Sequence, residues 1–146
     1  MSTLQVHASC VRIDAIGVLL CGGSGCGKSD LALRMIHSGA SLVADDRVDL
    51  AREDETLRAS CPANLAGLLE VRGVGILKVP FVADAAVGLA VDLAPGAQIE
   101  RLPAPRHRDY LGKSVPVLTL DPFRASAAAQ LAYAARAAAA GDLFAH

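Results

Sequence analysis

The sequence predicts an α/β fold: one domain over residues 1–146, built on a mixed β-sheet flanked by helices and ending in an Ala-rich C-terminal helix. Three observations carry that expectation. A short apolar run, a glycine-dense loop and a helical stretch follow one another from Val18 to Gly39. Several β-like segments come after them. The tail from Ala125 to Ala140 has eleven alanines in sixteen residues, which is very high helix propensity.

The elements follow in order. "LQVHASCVRID" alternates loosely and reads as β structure, with "DAIG" as a turn. "VLLC" is a short buried strand. "SDLALRMIHSG" places Leu31, Met35 and Ser38 on one helical stripe, with Leu33 and Ile36 beside it and Gly39 at the C-terminal cap. "SLVADD" is a second buried strand that ends in two carboxylates. "RVDLAREDETLRAS" reads as a hairpin around the charged turn Arg52 to Glu55. "LLEVRGVGILKVP" and "VGLAVDL" are two further strand regions. "PAPRHRDYLGKS" reads as a proline-rich basic loop, and "VPVLTL" as the last strand. In the tail, Leu131 and Tyr133 are the only large apolar groups, so that helix packs through small residues.

Composition narrows the function. Lys plus Arg is 14 and Asp plus Glu is 15, a net charge of −1, which argues against a nucleic-acid binder. Aromatic content of 3% argues against a base-stacking surface. No run approaches the roughly 18 apolar residues of a membrane span, and "MSTLQVHAS" lacks the features of a signal peptide. Cys10, Cys21, Cys26 and Cys61 form no CxxC pair and no zinc spacing, so they read as reduced thiols of a cytoplasmic protein.

Gly22-Gly23-Ser24-Gly25-Cys26-Gly27-Lys28-Ser29 fits G-x-x-x-x-G-K-[ST], the Walker A or P-loop pattern, between a strand and a helix. Glycines let backbone N–H groups converge on phosphate, and the helix adds its positive end. Lys28 then reaches the β- and γ-phosphates, and the Ser29 hydroxyl ligates Mg²⁺. Asp45, 17 residues after Lys28 at a strand end, suits service to the metal or its water; the alternative is a solvated loop start neutralised by Arg47. Adjacent strand residues face opposite ways, so Asp45 and Asp46 serve different partners unless the strand has already ended. Glu70, on an apolar strand, is either a metal ligand or the partner of Arg72. "HRD" at His107 to Asp109 looks like a protein-kinase catalytic loop, but Ser114 stands where that loop needs Asn.

"GGSGCGKSDLALRMIHSGASLVADDRVDL" followed by "LLEVRGVGIL" resembles the catalytic domain of bacterial HPr kinase/phosphorylase. The resemblance covers nearly the whole chain. It implies an ATP- and Mg²⁺-dependent kinase of a serine in an HPr-like phosphocarrier of the phosphotransferase system, reversible by phosphorolysis. It implies a catalytic set of His7, Lys28, Asp45 and Arg101, with Ser29 and Glu70 as Mg²⁺ ligands, and a homo-oligomer such as a hexamer. Arg101 stands in "IERLP", where Glu100 and Pro103 replace two neighbours of the family motif. The chain departs from the family elsewhere. The usual N-terminal domain is outside the resemblance, Gly23 replaces a common Asp, and "LDPFRAS" stands at a Pro-Gly-Arg-Asn segment tied to dephosphorylation. There Arg124 is expected to pair with Asp121. Two other classes fit the motif: a P-loop kinase of a small metabolite, and a non-catalytic nucleotide-binding regulatory module.

Overall fold

The computed structural model describes residues 2–144. In chain order the elements are β1 (Thr3–Val6), β2 (Ala8–Ile13), β3 (Ile16–Cys21), α1 (Lys28–His37), β4 (Ser41–Ala44), β5 (Val48–Glu53), β6 (Thr56–Ser60), β7 (Leu68–Val71), β8 (Gly75–Lys78), β9 (Asp84–Leu93), β10 (His107–Tyr110), β11 (Lys113–Leu120) and α2 (Ala127–Ala140). Nine strands form one sheet in the order β1-β5-β6-β9-β3-β2-β4, with β11 on β9 and β10 on β11; β7 and β8 make a separate hairpin. β3 and β11 run parallel to β9, while the other pairings of the large sheet are antiparallel. The mixed sheet with flanking helices is therefore as expected from the sequence.

β3 lies in the middle and is covered on both faces. Val18 and Leu20 pack with Leu31 and Met35 of α1 and Leu131 of α2. Leu19 joins the opposite cluster with Cys10, Val43, Leu57 and Val117. A strand buried on both sides has no polar face, which is why "VLLC" shows no alternation. α2 buries Ala127, Leu131 and Ala135, a stripe four residues apart, and leaves Tyr133 exposed.

Three segments differ from the sequence expectation. "LQVHASCVRID" is two strands, broken by a bend at His7; β1 pairs with β5, whereas β2 pairs with β3 and β4. "LLEVRGVGILKVP" doubles back as the β7–β8 hairpin and joins no strand of the large sheet. The basic stretch is not a loop throughout. Residues 107–110 form β10, joined to β11 by a two-residue turn at Leu111 (φ 55°) and Gly112 (φ 84°). Positive φ at both turn positions matches the twist of a tight hairpin, and Asp109 accepts the Gly112 N–H at 2.9 Å.

Candidate active site

The glycine loop leaves β3 at Cys21 and enters α1 at Lys28. Two glycines are demanded by space as well as by φ. A Cβ at Gly22 (φ 152°) would lie 2.4 Å from Cys26 Sγ, and one at Gly27 (φ 98°) would lie 3.0 Å from Pro122 Cγ and 3.1 Å from Phe123 Cζ. Gly23, where the resembled family often has Asp, has open space around it. Gly27 is also the N-cap of α1, so no side chain covers the N–H groups of the first turn. They are left for an anion. Lys28 is only 6% exposed. Its Nζ donates to the carbonyls of Gly22 at 2.8 Å and Gly23 at 3.0 Å, which satisfies a buried charge and shapes the loop.

β4 ends at Ala44, so strand alternation does not separate the two aspartates; the backbone turn at Asp46 does. Asp46 takes a left-handed conformation (φ 68°). Asp45 Oδ1 accepts bonds from two hydroxyls, Ser29 Oγ at 2.8 Å and Ser9 Oγ at 2.8 Å. Its Oδ2 faces the Glu70 N–H at 3.4 Å. Asp46 turns the other way, and its Oδ1 lies 2.6 Å from His7 Nε2, with both side chains more than half exposed. The Asp46 N–H donates to Ser9 Oγ at 3.2 Å, so one serine ties the pair together. A depression of about 430 Å³ opens beside them, lined by Gln5, Val6, His7, Asp46 and Arg47.

The donors present fit a nucleotide-bound Mg²⁺. Among the described residues no three His, Cys, Asp or Glu side chains gather into a metal cage. Mg²⁺ on a nucleotide needs none, because one or two carboxylates suffice alongside phosphate oxygens and water. Ser29 and Asp45 supply a hydroxyl and a carboxylate in contact at the loop's exit. Glu70 is exposed on β7, so its charge needs no buried partner, and among the described residues no ion pair joins it to Arg72.

Arg101 is not gathered into this cluster. It is exposed in the connection from β9 to β10, and among the described residues no hydrogen bond or ion pair links it to the site. The expected Arg124–Asp121 pair is also not formed. Asp121 is occupied by backbone N–H groups, from Phe123 at 3.0 Å and Gly96 at 3.1 Å.

Sequence reasoning missed two features. Ser9 bridges both aspartates, and nothing in "HASCV" marks it out. On the other flank of the loop, Arg108 grips Asp92 with two bonds of 3.0 and 2.8 Å, and Arg106 adds a third at 2.5 Å. The hydrogen bonds that Arg108 donates to Asp92 push its pKa up still further. Asp92 pairs in register with Cys21. Burial raises the Cys21 thiol and the Tyr110 phenol beside it, so both stay protonated near neutral pH.

Residues 1–131 match the family described as HPr Serine kinase C-terminal domain. HPr kinase/phosphorylase of Levilactobacillus brevis is 40% identical over 112 residues, covering 75% of this chain and 36% of that protein. That of Lactiplantibacillus plantarum is 38% identical over 128 residues, covering 80% of this chain and 41% of that protein. The chain thus spans 36–41% of the length of these two curated relatives. The solved structure of the Hpr(Ser) kinase/phosphatase from Coxiella burnetii superposes with a TM-score of 0.84 at 30% identity, covering 94% of this chain and 97% of that one. With the glycine loop, the paired aspartates and this match over most of its length, the chain belongs to the HPr serine kinase C-terminal domain family.

Proposed function

We propose that this chain is an ATP-dependent protein serine kinase that phosphorylates an HPr-like phosphocarrier of the phosphotransferase system and runs in reverse by phosphorolysis. Residues 1–146 act as one catalytic domain, in the cytoplasm, as a homo-oligomer. The observation that carries the reading is the His7–Asp46 pair on an open face beside the phosphate loop. A metabolite kinase encloses its small acceptor, whereas an exposed carboxylate with an open depression beside it suits a hydroxyl presented by another protein.

Lys28 and the loop N–H groups bind the triphosphate and neutralise charge that develops on it. Ser29 Oγ, with Asp45 and the nearby Glu70, would hold Mg²⁺; when bound, that ion supplies charge neutralisation at the β- and γ-phosphates. The sequence resemblance puts the proton-accepting role on Asp45; we assign it to Asp46 instead. Asp45 Oδ1 already accepts two hydroxyl hydrogens, while Asp46 faces solvent and is oriented by His7. Asp46 therefore takes the proton of the acceptor serine. Arg101 would have to approach from its connection to assist. Most of the rate enhancement comes from positioning and charge, since phosphoryl transfer asks for little covalent chemistry from the protein.

The test incubates the protein with γ-labelled ATP, Mg²⁺ and HPr-like proteins of its own source. Label should appear on a serine of the carrier and vanish with Lys28→Ala. Transfer to a small metabolite alone, or ATP binding with no transfer to any HPr-like protein, would sink the proposal.

A further inference from the structure

Phe123 is a large ring left 59% exposed at the mouth of the phosphate loop. It is not loosely displayed. Its N–H is bonded to Asp121 Oδ1 at 3.0 Å, and Asp121 Oδ2 is bonded to the Gly96 N–H at 3.1 Å. The neighbouring Pro122 carbonyl accepts a hydrogen bond from the Arg34 guanidinium of α1. One edge of the ring rests against the α1 N-cap, with Cζ 3.1 Å from where a Gly27 Cβ would be. The rest of the ring is open to solvent.

The sheet order tells which end of a nucleotide reaches this ring. Given the kinase reading above, the reacting phosphate faces Ser29, Asp45 and Asp46, on the β2–β4 side of β3. The nucleoside must then run to the other side, toward β9 and β11. β3, β9 and β11 are parallel, so the segments leaving their carboxyl ends share one rim. Ligands of parallel sheets settle in the crevice outside that rim. The segment leaving β11 carries Phe123.

We propose that Phe123 is a stacking platform for the nucleobase of the phosphate donor, and so makes nucleoside triphosphates better donors than inorganic polyphosphates. An aromatic face adds affinity for any base, because every base has a π-face. Phenylalanine reads no hydrogen-bonding edge, so ATP and GTP are expected to bind alike.

The experiment measures dissociation constants for Mg²⁺–ATP and Mg²⁺–tripolyphosphate on the wild-type chain, Phe123→Ala, Phe123→Leu and Phe123→Trp. Stacking on one base is worth roughly tenfold in affinity. Wild type should prefer ATP by about that factor. Phe123→Ala and Phe123→Leu should lose the preference with tripolyphosphate binding unchanged, and Phe123→Trp should keep it. The leucine variant fills the space over Gly27 without a π-face, which separates stacking from loop packing. A preference that survives both the alanine and leucine changes overturns the inference, as does a parallel loss of both ligands in the leucine variant. Wild-type protein that binds both ligands equally overturns the stacking and spares the phosphate loop. Wild-type protein that binds neither overturns the loop assignment and this inference with it.

Discussion

Asp45 and Asp46 are neighbours in sequence with separate surroundings, one held by hydroxyls and the other by an imidazole. Their variants should therefore fail differently. Asp46→Asn should lower turnover by about 10²–10⁴-fold, the range for a lost general base, with Mg²⁺–ATP binding kept. Asp45→Asn should weaken Mg²⁺-dependent ATP binding itself. Single-turnover rates and ATP affinities of both variants check this, and identical phenotypes would refute the division of labour. Lys28 and Ser29 were legible in the sequence because the motif is local. The His7–Asp46 contact spans 39 residues, and it depends on where β1 breaks and β4 stops. No spacing rule could show it. Cys10 makes a second prediction. Complete burial pushes its thiol from 9.0 up to about 12. Between those values the unfolded chain releases a proton that the folded chain keeps, so stability falls as pH rises from 9 toward 12. Cys10→Ala should flatten that decline, whatever it costs at pH 7. Denaturation midpoints across the alkaline range provide the measurement, and an unchanged slope would count against it.

At the scale of elements, α2 depends on one large side chain. Leu131 is fully buried against the helix-side core, while Tyr133 is 68% exposed. Leu131→Ala should cost about 2–5 kcal/mol, the range for a buried leucine. Tyr133→Ala should cost under about 1 kcal/mol, because it loses only surface area and a cation–π contact with Arg136. Denaturant titration of the two variants distinguishes them, and equal losses would contradict the packing described. The alanine tail announced this helix through propensity alone. β10 was harder to see, since Pro103 and Pro105 and three basic residues look like loop chemistry. It is a strand because Arg108 and Tyr110 spend their polar atoms on Asp92 and Cys21, partners 16 and 89 residues away. The β7–β8 turn was hidden for the opposite reason. "EVRGVG" is apolar enough on either side to pass for one continuous strand.

At the scale of the whole molecule, the α/β class and mixed sheet were legible, but the strand order was not. Local patterning says where strands are; it does not say that β9 joins β6 to β3. That junction has a consequence. β9 pairs with β6 through Asp84–Ala86, with β3 through Val87–Asp92 and with β11 through Ala90–Leu93. The β1-β5-β6 meander thus hangs from the same strand that borders β3 and its glycine loop. Amide protons in that meander can exchange with solvent by local opening at an edge, or by loss of the entire sheet. For the inner amides of β6, the second route should dominate. A ligand on the loop should then slow their exchange without touching them. At a ligand concentration about 100 times its dissociation constant, the global opening becomes costlier by about 2.7 kcal/mol, close to a hundredfold in exchange rate. Exchange that slows only around residues 22–29 and 45–46 would mean that the meander opens on its own and that β9 is a hinge between two separately melting parts.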